Sequence, residues 1–344
     1  SDLVWRKETT PIGLRSEISI FYHLNLMHDY FMSDINKSSA AWLGNPVNAM
    51  AYVGPTFDGA FYNPIQDNLN FGDGGGVAAS DILTDDATVP RHEYVHYVVE
   101  KIWPIINFGQ GGSISEAMAD YFSGSSLDRS SIGKHYNGGI PLRELDSTID
   151  ARGSAVLTAD NWPAELYDGS RILSQTLWDI RKDRLATAYP STSTARSCAD
   201  GLVFQSLLFF PESFQEFLDA MRRVDRDGRV PNCAAGGVCG GVAPGCVQSV
   251  INTKFAGHGV ADYGGDIYEG AARNDGFQTA VDVSTRNSLS ATIFPSGDMD
   301  HYTFGAGAGP MNISLSLPAD GAYYKAYALV LYARNHVEVA RAEP

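Results

Sequence analysis

The chain has 344 residues, of which 44% are hydrophobic and 19% charged, and its formal net charge is −15. This is the composition of a globular protein of two or three domains, and it excludes a disordered chain and a coiled coil. The charge argues against nucleic acid or an anionic membrane surface as a partner, because a polyanion would repel the chain.

Neither a membrane-spanning segment nor a leader is predicted. No apolar run approaches the roughly 20 residues that a membrane helix needs, so we expect no membrane insertion. The N-terminus, SDLVWRKETT, lacks the basic segment and apolar stretch of a signal peptide. The sequence is therefore that of a cytosolic protein or of a mature form whose leader has been removed.

The hydrophobic pattern along the chain predicts an α+β fold. Residues 17–32 carry apolar side chains at helical spacing, whereas residues 46–72 read as extended segments broken by Gly, Pro and Asn. Helical patterns then dominate to about residue 260, over 88–103, 114–127, 169–182 and 196–224. After about residue 262, short alternating stretches predict a small β-sandwich of about 75 residues.

The segment TVPRHEYVHYVVEKIWP places His92 and His96 four residues apart. In a strand these residues would stand roughly 13 Å apart, but in a helix they lie about 6 Å apart, so both imidazoles can reach one metal ion. Local composition alone would also suit a strand. We expect a helix from about 89 to 103, with Thr88 as its N-cap and Pro90 in its first turn.

A third metal ligand is predicted in the segment GGSISEAMADYFSG. Zinc in catalytic sites takes three protein ligands and keeps one open position. Glu116 can complete a His₂Glu set with His92 and His96, and Asp120, one helical turn further, can accept the free ring N–H of His92. The alternative is that Ser113 and Glu116 form only a capping box, which would leave Asp120 and the two histidines unexplained.

The four cysteines predict disulfides rather than a metal site. Three of them fall in the loop NCAAGGVCGGVAPGC, whose spacing matches no zinc-finger pattern. Two disulfides are expected for an exported protein, and three connectivities are allowed. We predict Cys233 to Cys239 and Cys198 to Cys246.

The motifs HEYVH and SEAMAD, with AFYNP and NLNFGDGGG upstream, resemble those of the thermolysin-like zinc peptidases, the gluzincins. FYHLNLMHDYF is similar to a helical segment of the related fungalysins. The resemblance covers roughly residues 16–260 and implies a catalytic domain over 1–260, with a β-rich lobe at about 1–87 and a helical lobe at about 88–260. Residues 261–344, with NDGFQTA and SATIFPSGDMDHYTF, resemble the pre-peptidase C-terminal domain of secreted bacterial peptidases.

This resemblance implies a secreted zinc endopeptidase, mature after removal of signal and propeptide, that acts as a monomer on proteins or peptides. Glu93 would be the base that takes a proton from the zinc-bound water. Arg143, in PLRELDS, would hold a substrate carbonyl, and the backbone around Ala60 would pair with substrate as an added strand. The pocket for the residue after the cut would be apolar, formed by Leu83, Val89 and Leu142.

The chain departs from the family's pattern at several positions. Where the family has a histidine that stabilises the oxyanion, YDGSRILSQTLWD places Tyr167, whose phenol can donate the hydrogen bond. His135, in the loop KHYNGG, is the rival for that role. Two other family residues, an asparagine and a tyrosine, are replaced here by Gly59 and Asn107.

Calcium is the second expected metal, but the family's ligand just before the active-site helix is replaced by Thr88. Another site could be formed by Asp81, Asp85, Asp86 and Asp128, since calcium takes oxygen ligands. In the C-terminal region, either Asp298 and Asp300 bind calcium or GDMD is only a polar turn between strands.

Two other functions compete with an endopeptidase. An aminopeptidase would need acidic groups that hold the free amine, and no GxMEN-like segment precedes HEYVH. A non-catalytic adhesion or carbohydrate-binding protein would need no intact His₂Glu set with Glu93 beside it.

Overall fold

The structure, a computed structural model, divides the chain into two compact units, Ser1–Tyr263 and Gly264–Pro344. It describes residues 12–34, 43, 45–54, 57–72, 83–103, 109–148, 166–187, 192–230, 233, 245, 247–260, 274, 276–289, 299–315 and 328–342. Among these residues, no helix is long and apolar enough to cross a membrane.

Helices dominate the first unit. They are α1 (Ile12–Asp29), α2 (Thr88–Ile102), α3 (Gly109–Leu127), α4 (Leu166–Thr187), α5 (Thr192–Leu207), α6 (Phe214–Arg226) and α7 (Gln248–Gly257). A π-helical turn, Tyr30–Asp34, continues α1, and a 3₁₀ turn, Leu83–Asp85, precedes α2. The helices predicted over 17–32, 88–103, 114–127 and 169–182 are confirmed.

A small sheet lies before α2. Its strands are β1 (Asn48–Met50), β2 (Ala60–Asn63) and β3 (Asn68–Phe71), in the order β1-β3-β2. β3 is buried along its whole length, pairing parallel with β1 and antiparallel with β2, with Ala60 opposite Phe71. Within the described part of the chain, β2 is therefore an edge strand. The extended segments predicted over 46–72 are confirmed.

Helix α3 lies at the centre of the first unit, packed against α2 on one side and α4 on the other. Its inward residues, Ile114, Ala117, Met118, Tyr121 and Phe122, are almost completely buried. A short hairpin of β4 (Ser131–Ile132) and β5 (Arg143–Glu144) follows α3. This arrangement brings the face of α2 that carries His92 and His96 against the face of α3 that carries Glu116.

The core also contains a buried polar cluster centred on Asp200. The carboxylate accepts hydrogen bonds from Tyr30 at 2.7 Å, Tyr121 at 3.0 Å and Ser125 at 2.6 Å. Burial raises the pKa of Asp200, whereas Arg181 and the hydrogen bonds from Ser125 and Tyr30 favour its charged form. The cluster ties the end of α1 to α3 and α5, and nothing in the hydrophobic pattern indicated it.

The single helical pattern predicted over 196–224 is wrong, because the structure splits it. Helix α5 ends at Leu207, Phe210 adopts a φ of 58°, and Pro211 follows. Proline cannot donate the backbone hydrogen bond that a continuing helix needs. Ser213 then caps α6 by accepting a hydrogen bond from the Glu216 amide at 3.1 Å.

The prediction that Thr88 is the N-cap of α2 is wrong, because Thr88 is the first residue of the helix. Ala87 holds the cap position and makes no side-chain cap hydrogen bond. The carboxylate of Asp86 instead accepts from the Thr88 amide at 3.0 Å and from its hydroxyl at 2.7 Å. An acidic group is favourable there, because the helix begins with unsatisfied amides and a partial positive charge.

The predicted disulfide pairing is wrong, because the structure joins Cys198 to Cys233. Gly201 lies one turn after Cys198 on α5, and an added Cβ there would stand 2.7 Å from Val230. The absence of that Cβ lets the segment after α6 pack directly on α5, which brings Cys233 to Cys198. Cys239 and Cys246 lie outside the described residues.

The second unit contains short paired strands. They are β6 (Val281–Asp282) with β7 (Tyr302–Thr303), and β8 (Leu329–Tyr332) with β9 (Glu338–Ala342). Phe277 joins the aromatic groups of this unit, since its ring lies 4.1 Å from His336 and 5.0 Å from His301. The described strands form separate pairs, so the β-sandwich stays a prediction.

Candidate metal centre and active site

Helices α2 and α3 bring His92, His96 and Glu116 together. One potential ligand atom of each residue lies within 4.8 Å of those of the other two. The two histidine Nε2 atoms lie 3.1 Å apart. Glu116 Oε2 lies 3.3 Å from His92 Nε2, and Oε1 lies 3.4 Å from His96 Nε2. All three side chains are largely buried at the α2–α3 interface.

These distances fit a zinc ion. Tetrahedral zinc with bonds of about 2.0–2.1 Å separates its ligand atoms by about 3.3 Å. Two features of this cluster would be costly without a cation. The two imidazole nitrogens face each other, and the buried carboxylate oxygen Glu116 Oε2 accepts no hydrogen bond. The donor set, two imidazoles and a carboxylate, is also the one that zinc takes in catalytic sites.

The charges around His92 and Glu116 favour a cation in the same place. Burial acts to lower the pKa of His92, but the carboxylates of Asp120 and Glu116 outweigh it and raise that pKa to about 10. Burial acts to raise the pKa of Glu116, but His96 and His92 hold it well below its usual range. In the absence of a bound metal ion, the two carboxylates therefore favour the protonated form of His92.

Each histidine is also contacted at its second ring nitrogen. Asp120 Oδ1 lies 2.9 Å from His92 Nδ1. This is within hydrogen-bonding distance, but the two groups are not aligned for a hydrogen bond. Ser115 Oγ lies 3.1 Å from His96 Nδ1. Such contacts fix the orientation of metal-binding histidines. Ser115 was not predicted, although its position directly before Glu116 on α3 was the available signal.

Arg143 lies behind the metal centre, paired with Asp120. Its Nε and Nη2 donate to the two oxygens of that carboxylate, the second at 2.7 Å. Burial acts to lower the pKa of Arg143, but Asp120 raises it further above its usual range. This two-point pairing holds Asp120 against His92 and was not expected from sequence, which assigned Arg143 only to a substrate carbonyl.

Glu93 lies on a different face of α2 from the two histidines. Residues Val89, Glu93 and Tyr97 are each one turn apart and share this face. The Tyr97 ring lies 5.9 Å from the ring of Tyr62, so strand β2 covers the same face. Glu93 is buried, its Oε2 accepts no hydrogen bond, and burial raises its pKa. A carboxylate with a raised pKa is suited to accept and release a proton.

The two candidates for the oxyanion donor lie in different surroundings. Tyr167 is in the first turn of α4, about half exposed, and its ring lies 5.3 Å from the guanidinium carbon of Arg143. His135 is exposed in the loop after β4, and its backbone amide donates to Asp86 at 2.7 Å. Tyr167 therefore adjoins the Asp120–Arg143 pair, whereas His135 adjoins the start of α2.

The predicted pocket residues lie around the start of α2. Leu83 is buried in the 3₁₀ turn, and Val89 is half-buried in the first turn of α2. Leu142 is half-buried beside Gly133, where an added Cβ would stand 2.5 Å from its side chain. Gly133 in turn donates its amide to the Thr88 hydroxyl at 2.9 Å. Ala60 begins the edge strand β2.

Of the acidic residues considered for calcium, the three that the structure describes do not form a ligand group. Asp85 pairs with Arg15, and Asp128 pairs with Arg181 at 2.6 Å. Asp86 accepts four hydrogen bonds from protein donors, and Asp81 lies outside the described residues. In the described part of the chain, His92, His96 and Glu116 are the group of three or more potential ligands that could hold a metal.

The C-terminal calcium candidates are only partly visible in the structure. Asp300 accepts a hydrogen bond from the Tyr302 hydroxyl at 3.1 Å, and Asp298 lies outside the described residues.

Of the two replaced family residues, Gly59 and Asn107, the structure describes only Gly59. Gly59 lies beneath the ring of Phe57, and an added Cβ there would stand 2.9 Å from that ring.

Comparison with known proteins finds weak sequence similarity to bacterial proteases. No protein-family model matches the chain. The neutral protease NprE of Bacillus pumilus and bacillolysin of Bacillus subtilis are each 27% identical to it over 116 residues, 34% of the chain. The protease PrtS of a Photorhabdus species is 28% identical over 102 residues, 30% of the chain. The matched segments span 38%, 22% and 27% of these relatives.

The fold is shared with a solved structure, the precursor of protealysin, a metalloproteinase from Serratia proteamaculans. The TM-score is 0.54 at 18% sequence identity, and the match covers 75% of this chain and 82% of the other. At that identity the likeness shows the fold alone. The predicted α+β fold is confirmed at this level. The chain therefore has the fold of the protealysin precursor and weak sequence homology to neutral proteases.

Proposed function

We propose that the chain is a secreted zinc-dependent endopeptidase. The observation that carries this proposal is the convergence of His92, His96 and Glu116, with Glu93 buried beside them on the adjacent face of α2. Related proteins named neutral protease and bacillolysin support peptide or protein substrates. The catalytic domain would be residues 1–260, followed by a β-sandwich of the pre-peptidase C-terminal type over 261–344.

The residues of the chain supply most of the mechanism. A zinc ion bound by the three ligands would supply Lewis-acid polarisation of a water molecule and of the scissile carbonyl. Glu93 takes the water's proton and passes it to the leaving amine, for which its raised pKa is suited. Asp120, held by Arg143, keeps the His92 ring in position. Tyr167 donates a hydrogen bond to the developing oxyanion. Arg143, whose guanidinium lies beside the Tyr167 ring, holds the substrate carbonyl.

Strand β2 provides the binding surface for the substrate backbone. It is paired with β3 on one edge, and a peptide can add to the other edge at Ala60. Because β2 covers the face of α2 that carries Glu93, a peptide on that edge passes the base. Leu83, Val89 and Leu142 form the pocket for the residue after the cut, and their side chains favour a bulky apolar group.

The remaining features of the proposal rest on the sequence. We expect a monomer, export of the mature form after removal of signal and propeptide, and oxidised cysteines, of which the Cys198–Cys233 disulfide is one pair. Calcium binding stays a prediction, with no described ligand group assigned to it.

The proposal is tested by comparing substrates on the zinc-loaded protein. An endopeptidase cleaves casein at internal bonds, whereas an aminopeptidase releases the chromophore of an amino-acid anilide. Glu93→Gln, which keeps the zinc ligands, should retain stoichiometric zinc and lose casein cleavage by several orders of magnitude. Activity only on the anilide would replace the proposal by an aminopeptidase, and inactivity of the zinc-loaded wild type on both substrates would contradict it.

A further inference from the structure

A loop next to the proposed active site, residues 133–140, is bound at its base to the start of α2. We call this loop the strap. Asp86 Oδ2 accepts the backbone amides of His135 at 2.7 Å and Tyr136 at 3.0 Å. The Thr88 hydroxyl accepts the amide of Gly133 at 2.9 Å. Three protein contacts therefore hold the base of the strap against the first turn of the helix that carries the metal ligands.

The strap is also ordered by its own hydrogen bonds. The Asn137 amide donates to Gly133 O at 3.0 Å, and the Gly139 amide donates to Lys134 O at 2.8 Å. The side chain of Asn137 donates to Ile140 O at 3.0 Å. Gly133, Gly138 and Gly139 have positive φ values of 66°, 62° and 91°, which glycine adopts without steric cost. The strap is thus a built turn.

The far side of the strap reaches the other wall of the proposed cleft. The Tyr136 hydroxyl donates a hydrogen bond to Asp58 Oδ1. Asp58 lies two residues before Ala60, where the edge strand β2 begins. Tyr136 therefore joins two elements. Its backbone amide binds Asp86 at the start of α2, and its side chain binds Asp58 near the start of β2.

The lengths of the two elements show where this bridge lies relative to Glu93. From Tyr97 back to Val89 is eight helical residues, about 12 Å, and from Tyr62 back to Asp58 is four extended residues, about 13 Å. Tyr62 contacts Tyr97 at one end, and Tyr136 links Asp58 to Asp86 at the other, so Asp58 lies towards the start of α2. Lys101, 2.8 Å from Asp67, ties the far end of the strand region to the far end of α2. The bridge and the Tyr62–Tyr97 contact thus lie on opposite sides of the turn that carries Glu93.

We propose that Tyr136 is a specificity-determining residue: its bond to Asp58 closes the end of the cleft beyond the Val89 and Leu142 pocket and restricts how much chain can follow the cut. This inference rests on the proposed function. A peptide paired with β2 can extend past the pocket only when the Tyr136–Asp58 bond opens. Substrates with a short segment after the cut fit beneath the closed strap, whereas those with a long segment require it to open.

The test uses the zinc-loaded protein and two fluorogenic peptides that are identical before the scissile bond. One has about two residues after that bond and the other about eight, within and beyond the reach of the strap. For Tyr136→Phe and for Asp58→Ala, the ratio of kcat/KM for the long peptide to that for the short one should rise about five- to tenfold, the factor of one typical net hydrogen bond. The double variant should gain no more than either single variant, because all three remove the same bond.

Tyr302→Phe is the matched control, because it removes a hydroxyl that donates to the carboxylate of Asp300 in the second unit. Its ratio should equal that of the wild type. Unfolding temperatures of all variants establish that they are folded. If the enzyme cleaves both peptides and the ratio is unchanged in folded Tyr136→Phe and Asp58→Ala, the strap proposal is overturned while the proposed function stands. If no zinc-loaded form cleaves any peptide, the proposed function is overturned and the strap proposal with it.

Discussion

Asp120 Oδ1 lies 2.9 Å from His92 Nδ1 across the interface of α2 and α3, and the Asp120 carboxylate is completely buried. On its other side the same carboxylate receives two hydrogen bonds from Arg143. A buried negative charge is thereby balanced by a guanidinium while it orients an imidazole. Asp120 thereby joins Arg143, on the hairpin after α3, to His92 on α2.

This relationship predicts that Asp120→Asn weakens zinc binding about 10- to 100-fold, because the contact that orients His92 loses its charge. Competition with a chromophoric chelator measures the affinity. Asp183→Asn is the matched control, since Asp183 pairs with Lys254 on the surface at 2.9 Å, and its zinc affinity should be that of the wild type. Equal zinc affinity in Asp120→Asn and wild type would contradict the assigned role.

Removing a ligand should have a larger effect than removing its support. We expect one zinc ion per chain, and His96→Ala should lose most of it, because two ligands hold zinc far less tightly than three. Elemental analysis after dialysis against metal-free buffer gives the stoichiometry. Stoichiometric zinc in His96→Ala would show that the ligand assignment is wrong.

Zinc binding near neutral pH should release about one proton, because the ring of His92 must be neutral to bind metal. Without metal, burial acts to lower the pKa of His92, but Asp120 and Glu116 raise it to about 10. Calorimetric zinc titrations in buffers of different ionisation enthalpy count the released proton. A heat that does not depend on the buffer would contradict this prediction.

The same shift fixes the pH dependence of the metal-free protein. The folded pKa of His92 is above the ordinary value of about 6.5, so its contribution to stability is fully present below that pH. The contribution is lost as the pH rises towards 10. Denaturant unfolding of metal-free protein should therefore show falling stability across this range, and the zinc-bound protein should not show that loss.

Tyr167→Phe should lower turnover about 100- to 1000-fold with a small change in substrate binding, since it removes one donor to the oxyanion. A phenol that only donates a hydrogen bond has no ionisation near neutral pH, so the wild type should lack the alkaline loss of activity that a histidine donor imposes. Measurement of kcat and KM for Tyr167→Phe and His135→Ala decides between the two. A nearly silent Tyr167→Phe with a strongly impaired His135→Ala would transfer the role to His135.

The disulfide Cys198–Cys233 closes a separation of 35 residues and should stabilise the fold by about 4 kcal/mol. Cys198→Ser and Cys233→Ser should lower the free energy of unfolding equally, because each breaks the same bond. Denaturant unfolding measures both. Thiol titration of the denatured, non-reduced wild type should find no reactive thiol, and four reactive thiols would contradict export.

The sequence by itself determined the elements and the spacing of the metal ligands. His92 and His96, four residues apart, and Glu116 and Asp120, four apart on the next helix, take their relative positions from the helical repeat, which is a local property of the backbone. Local spacing is readable because the rise and turn of a helix are nearly the same in every protein. The same reasoning failed at Pro211, where an apolar pattern continued across a break in the helix.

Only the tertiary structure decided which distant residues meet. The pairing of Cys198 with Cys233 depends on how Val230 packs against Gly201, and the pairing of Asp120 with Arg143 depends on the path of the hairpin after α3. Asp86, a calcium candidate in sequence, instead binds the backbone of the strap. Such contacts join residues separated by tens of positions, and they depend on packing and on loop paths that no short-range periodicity encodes.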